Sequence, residues 1–263
     1  MMKILKIGKF HRLDEQGNIQ NCCVLPIQQL DYKEVVDEII QGLLDYYGTK
    51  VHSIYIRGSV AKGTAIQNVS DIDLVIILQN TLSPEEKTLS LNLGQTVYQK
   101  YDFVKDVEFF FQTIEQCKDK RLQFLLKTQC ACIYGNDIIP DLPDFPLNND
   151  AKIHSLNFSE QMEDIHKELL VENNVKEIEE ICRWMMKRII RTGFETVMLQ
   201  ENVYTRDLYP NYKVFCKYHP AKTALMRKTL RLAIEPTSNK TKIMHISKDL
   251  VPYIETCIET SAY

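Results

Sequence analysis

Residues 54–78, IYIRGSVAKGTAIQNVSDIDLVIIL, decide how this chain is read. Two apolar runs with the character of strands are separated by a glycine-serine turn and a short polar loop. The second run opens with Asp71 and Asp73. Strand side chains alternate between faces, so these two carboxylates project to the same side, together with Val75 and Ile77. Paired carboxylates repel each other, and the arrangement is costly unless cations sit between them. Oxygen-only donors select hard ions, Mg²⁺ ahead of zinc or copper.

A later stretch, KDVEFFFQTI at 105–114, reads as another strand, with Asp106 and Glu108 on one face and Val107, Phe109 and Phe111 on the other. Beside the DxD strand, either acid would complete a carboxylate trio, as a metal ligand or as the general base for an attacking hydroxyl. Glu108 is favoured, with Asp106 in reserve. Ahead of the aspartates, Gly58 lets backbone approach a ligand and Ser59 adds a hydroxyl and an N–H. Together they suit a terminal phosphate, with metals neutralising the triphosphate. That combination describes a nucleotidyl-transfer site. A lone DxD or a lone Gly-Ser is commonplace; their succession in one strand-turn-strand unit, followed by an acidic strand, is much more specific.

The rest of the chain frames this unit. DYKEVVDEIIQGLLDYYG carries Val36, Ile39, Ile40, Leu43, Leu44 and Tyr47 at helical spacing, with Asp31 and Glu34 as a capping box and Gly48 as the stop. Short apolar runs at 3–7 and 22–27 around DEQGN predict an N-terminal hairpin. Helices are expected over 85–100 and 115–128, and a strand around CIYG. The proline-rich PDLPDFPLNND places a boundary near residue 145. Beyond it, 159–172 and 175–198 are amphipathic at helical period, and the remainder reads as helices with loops at Pro210, Pro220 and Pro236. The expected architecture is α+β: a small mixed-sheet domain over 1–145 and an all-helical domain over 146–263.

Composition narrows the partners. With 35 acidic against 32 basic residues and a net charge of −3, the 263-residue chain lacks the basic excess of a protein built to grip long nucleic acid. No apolar run approaches the ~20 residues that span a bilayer, and the N-terminus turns polar too soon for a signal peptide, so a cytoplasmic location is expected. Eight cysteines without a CxxC pair point to reduced, buried thiols rather than zinc.

GSVAKGTAIQNVSDIDLVIIL resembles the signature of nucleotidyltransferases related to DNA polymerase beta, in which a Gly-Ser turn precedes a DxD on the next strand. The match includes KGTA at 62–65, which brings Lys62 to the nucleotide. The resemblance implies a small mixed sheet backed by helices, two Mg²⁺ ions, and transfer of a nucleoside monophosphate from an NTP, ATP first, with release of pyrophosphate. Size and the helical second half look most like the enzymes that adenylylate aminoglycosides or lincosamides, which implies a hydroxyl-bearing small molecule as acceptor. Carried over by motif, Gly58 and Ser59 hold the triphosphate, Asp71 and Asp73 the metals, and VEFF puts Glu108 at the catalytic carboxylate and among the metal ligands. Arg206 matches the basic residue that such enzymes set against the phosphates.

Independently, Arg183, Lys187 and Arg191 form one stripe of a helix at i, i+4 and i+8. One reading is a solvated face opposite the Ile181, Met185 and Ile189 core stripe; the other has the basic stripe facing a cleft and closing on an anionic nucleotide or RNA phosphate. Trp184 reads as core, and Tyr204, Tyr209 and Tyr212 as half-buried packing. Two other functions compete. A toxin-antitoxin nucleotidyltransferase would modify a protein or a tRNA; an RNase role in the helical half is disfavoured because no arginine there is followed at five to seven residues by histidine. A non-catalytic nucleotide-binding module would have lost a carboxylate, and Asp71, Asp73 and Glu108 are all present.

Overall fold

The computed structural model describes residues 6–260. They fall into two compact units: Asp14–Phe145, and the residues up to Leu13 together with the chain from Pro146 onward. The change at 145/146 lies within the proline-rich stretch. The residues before Asp14 group with the helices.

The first unit runs α1 (Leu30–Tyr47), β1 (Val51–Arg57), α2 (Gly58–Ala61), β2 (Ile72–Leu78), α3 (Pro84–Lys100), β3 (Val107–Thr113), α4 (Lys120–Gln129) and β4 (Ala131–Gly135). The sheet order is β3-β2-β1-β4. β1 pairs antiparallel with β2 and with β4, whereas β2 and β3 run parallel through the α3 crossover. β2 is apolar at six of its positions in IDLVIIL because both of its faces are covered. Ile54, Ile56, Ile72, Leu74, Ile76 and Leu78 pack with α1 residues Val36, Ile39 and Leu43. On the opposite face, Tyr55, Val75 and Ile77 meet Leu122 and Leu126 of α4. An Ile→Ala change in either layer costs about 2–5 kcal/mol, through lost burial and the cavity left behind.

Local chemistry sets the ends of these elements. α3 begins with a capping box: Ser83 Oγ accepts from Glu86 N at 3.2 Å, and Ser83 N donates to Glu86 Oε2 at 2.9 Å, with Pro84 at the first helical position. The box expected at Asp31 and Glu34 does not form. α1 starts at Leu30, with Gln29 as its cap, two residues ahead of the start that a cap at Asp31 would give, so Asp31 stands inside the first turn, where its charge favours the helix dipole. Gly48 caps its C-terminus as expected. The predicted N-terminal hairpin is not found: residues 3–5 lie outside the described residues, and 22–27 form no strand. Ile19 N instead donates to Phe145 O at 2.8 Å.

The second unit contains α5 (Phe158–Val171), α6 (Val175–Glu195), α7 (Met198–Glu201), α8 (Leu208–Tyr218), α9 (Thr223–Ile234) and α10 (Lys240–Thr260). Asn174 caps α6, accepting from Lys176 N at 2.9 Å. The α6 stripe Ile181, Met185 and Ile189 is buried against Phe215, Met226 and Leu250. Trp184, expected in the core, is 43% exposed, since it lies on the flank of that stripe. Pro210 does not interrupt the chain, because it sits in the first turn of α8, where a missing N–H costs nothing. Pro252 lies inside α10. All eight cysteines are free thiols. Among the described residues, no helix is long and apolar enough to cross a membrane.

Candidate active site

Three neighbouring strands bring charge to one end of the sheet. Arg57 stands opposite Asp73 in the antiparallel β1–β2 pair, and Asp73 stands opposite Glu108 in the parallel β2–β3 pair. Cross-strand partners share a face, so one guanidinium and two carboxylates are held side by side on the side of the sheet that carries Tyr55 and Val75. Arg57 Nη2 lies 2.7 Å from Asp73 Oδ1 and 3.6 Å from Glu108 Oε2. Arg57 Nε is buried without a hydrogen-bond partner.

Asp71 precedes the strand and pairs with Lys105, whose Nζ is 3.3 Å from Asp71 Oδ1. Its position is fixed from behind. Ile66 N donates to Ser70 Oγ at 2.9 Å, Ala65 N to Gln29 Oε1 at 3.0 Å, and Ile72 N to Asp106 O at 2.9 Å. Asp106, the reserve candidate, turns its carboxylate to Val107 N at 2.7 Å. Glu108 is therefore the acid aligned with Asp73. Its carboxyl is held above the usual carboxylate range, first by partial loss of solvent and then by the charge of Asp73, against the opposing charge of Arg57.

Gly58 is required by the geometry. Its φ is +77°, and a Cβ there would lie 2.1 Å from Asp73 Oδ2. The carboxylate occupies the space a side chain would need, which ties the Gly-Ser turn to the DxD. Ser59 lies in the single turn of α2, and its carbonyl accepts from Thr64 N at 2.9 Å. Lys62 follows as the C-cap of that turn. Gly58, Ser59, Asp71, Asp73 and Glu108 all lie in the first unit, and the strand register sets Glu108 opposite Asp73.

Arg183, Lys187 and Arg206 belong to the helical unit. Arg183 Nη2 pairs with Glu180 Oε1 at 3.3 Å, one turn away on α6. Arg206, with Arg191 and Arg188, bears on the buried His154, and the three charges add to burial in holding its imidazole well below the ordinary histidine range. Tyr204 is buried, while Tyr209 and Tyr212 are partly buried and lie 6.0 Å apart, in keeping with packing.

Sequence reasoning missed Arg57 and Lys105. The signal was present: an arginine closing the apolar run IYIR is as anomalous as the aspartates opening IDLVIIL, and antiparallel strands joined by a short loop bring such ends together. It also missed Glu195, the acid at the end of α6. That carboxyl is 2% exposed and accepts from His154 N at 2.9 Å, Ser155 N at 2.6 Å and Ser155 Oγ at 2.8 Å, with His154 Nδ1 at 2.6 Å.

The oxygen donors of Asp71, Asp73 and Glu108 fit a hard divalent cation, and the space at Gly58 admits the close approach that Asp73 makes. Among the described residues, no three His, Cys, Asp or Glu side chains form a ready-made metal cage. The carboxylates are directed to Arg57 and Lys105 instead.

Residues 36–129 match the family model of the nucleotidyltransferase domain. The fold is similar to that of spectinomycin adenyltransferase AAD(9) from Enterococcus faecialis, solved with ATP and spectinomycin: TM-score 0.53, 12% identity, 86% of this chain and 98% of that chain covered. A toxin-antitoxin structure with AMP-PNP is 27% identical over 38% of this chain and 73% of that one, at a TM-score of 0.30. No curated protein sequence matches the chain.

Proposed function

We propose that this chain, whose residues 36–129 match the nucleotidyltransferase domain, is a Mg²⁺-dependent transferase that moves AMP from ATP to a hydroxyl of a small acceptor. The observation that carries this reading is the register Arg57–Asp73–Glu108 across β1, β2 and β3, with Gly58 fitted against Asp73. It leaves two acids on one face beside the Gly-Ser turn.

In this reading Asp71, Asp73 and Glu108 hold two Mg²⁺ ions, which when bound supply charge neutralisation at the triphosphate. Gly58 and Ser59 offer backbone and hydroxyl to the terminal phosphate, with Lys62 beside them. Glu108 takes the proton of the acceptor hydroxyl, a role served by the raised position of its carboxyl. The mixed-sheet unit, Asp14–Phe145, carries the chemistry. A protein of similar fold takes spectinomycin with ATP, which makes aminocyclitol and aminoglycoside antibiotics the first acceptors to offer.

The test is to incubate the purified chain with Mg²⁺ and each α-labelled NTP in a bacterial lysate supplemented with aminoglycosides and lincosamides, with Asp73→Asn as control. Label from ATP on a small molecule supports the proposal. Label on protein or RNA, absent with the control, replaces the small acceptor by a macromolecule. No Asp73-dependent label from any NTP overturns the catalytic assignment.

A further inference from the structure

Each aspartate of the DxD has a cation of the chain's own upon it. Asp73 receives Arg57 at 2.7 Å and Asp71 receives Lys105 at 3.3 Å, while Glu108 lies 3.6 Å from the same guanidinium. We propose that Arg57 and Lys105 are built-in counter-cations of the site, which give up the carboxylates when divalent cations bind, so that metal loading and release of two side chains are a single event. This rests on the nucleotidyl-transfer reading and adds a regulation to it.

The geometry supports exchange rather than a permanent pair. A structural arginine grips a carboxylate with both prongs of its fork. The same terminal nitrogen of Arg57 makes the approach recorded to each acid, and Nε is left buried without a partner, which costs about 1–3 kcal/mol. Its hold is therefore weaker than its 2.7 Å contact implies. Lys105 makes a longer contact from the segment before β3, on a flexible stem whose side chain is 34% exposed.

Charge supplies the reason for having them. Three carboxylates on adjoining segments repel one another, and a bare trio would oppose the pairing of β2 with β3. One guanidinium and one ammonium offset that repulsion. Neither matches a small divalent ion for carboxylate oxygens, and a guanidinium is weakly hydrated and leaves with little reorganisation. The absence of a ready-made cage among the described residues is then a consequence of where the carboxylates are directed.

The test requires no nucleotide and uses the full chain. The side-chain Nε–H resonance of Arg57, assigned by its loss in Arg57→Lys, is followed by ¹⁵N NMR during a Mg²⁺ titration. In parallel, Mn²⁺ binding to wild type, Arg57→Gln and Lys105→Gln is measured by electron paramagnetic resonance. The expected result is a shift of the Arg57 signal that saturates with the metal, and Mn²⁺ affinity tighter by roughly fivefold in each variant, the size of a partly exposed ion pair. An Arg57 signal unmoved at saturating Mg²⁺ overturns the proposal even if the variants bind more tightly, because charge alone then explains the gain. Equal affinities with an unmoved signal overturn it as well. Wild type that binds no Mn²⁺ removes the metal site itself, a failure of the underlying reading that is distinguishable from the other two.

Discussion

Asp73 and Glu108 stand opposite each other in the parallel β2–β3 pair and share the guanidinium of Arg57, which reaches them from the third strand at 2.7 and 3.6 Å. Parallel neighbours are rarely both acidic at the same level, because like charges directly opposite are destabilising. The guanidinium between them offsets part of that repulsion.

Asp73→Asn keeps the shape of the side chain and removes its charge. Transfer should fall by about a thousandfold or more, as for loss of an essential electrostatic group, with the fold retained. Turnover and the thermal midpoint, measured on the same preparation, separate the two; full activity would remove Asp73 from the site.

Glu108→Gln should lower kcat about a hundredfold or more while leaving the KM for NTP within a few fold, as expected when a general base is lost but ground-state binding is not. If KM rises in step with the fall in kcat, Glu108 serves mainly to bind metal and nucleotide.

At Gly58, alanine meets two penalties: a positive φ and a Cβ 2.1 Å from Asp73 Oδ2. A loss of about 1–3 kcal/mol in urea unfolding is expected, with transfer falling further because Asp73 must move. Wild-type stability in Gly58→Ala would mean that the turn has room which the 2.1 Å approach denies.

Burial pushes the Glu195 carboxyl up to about 7 from its ordinary 4.5, and holds His154 well below its ordinary 6.5. Just below 6.5 the unfolded chain holds one proton, on the imidazole, and the folded protein also holds one, on the carboxyl, so the pair adds no slope there. Between 6.5 and about 7 the folded carboxyl keeps a proton that the unfolded chain has lost, and stability falls as pH rises. Glu195→Gln keeps an oxygen for Ser155 but loses the acceptor of His154 N when its amide donates to Nδ1, and should cost about 1–3 kcal/mol, whereas Glu195→Ala strands all the buried donors and should cost about 3–5 kcal/mol. Urea unfolding checks both; a glutamine variant as unstable as the alanine one would mean that the bonds from Ser155 contribute nothing.

Strand alternation is a property of a single segment, which is why the face shared by Asp73 and Val75 is legible in the sequence alone, as is the helical period of α1 and α6. Register between strands is not. Arg57 is visible as an anomaly at the end of IYIR, but only the pairing of β1 with β2 shows which acid it meets. The choice between Asp106 and Glu108 turned on where the strand begins, at Val107, leaving Asp106 to bond the backbone. Trp184 was misjudged because a wide apolar stripe on a helix has flanks, and hydrophobicity does not say which residue is on them. Asp31 and Glu34 have the spacing of a capping box, as Ser83 and Glu86 do, yet only the latter pair lies where a helix begins. Glu195 carried no local signal, for its partners His154 and Ser155 lie some 40 residues away.

The connection between the two pairings differs in reach. Arg57, Gly58 and Asp73 lie on β1, its following turn and the antiparallel neighbour β2, whereas Glu108 joins through a parallel pairing that waits for the whole of α3 to fold back. Loop closure makes the shorter contact the earlier one. Half of the site is accordingly assembled from a short, local piece of chain, and the last acid arrives onto a carboxylate whose charge has already been met. The pairing of β1 with β2 by itself brings Arg57 to Asp73, so Glu108 joins a carboxylate whose charge already has a partner.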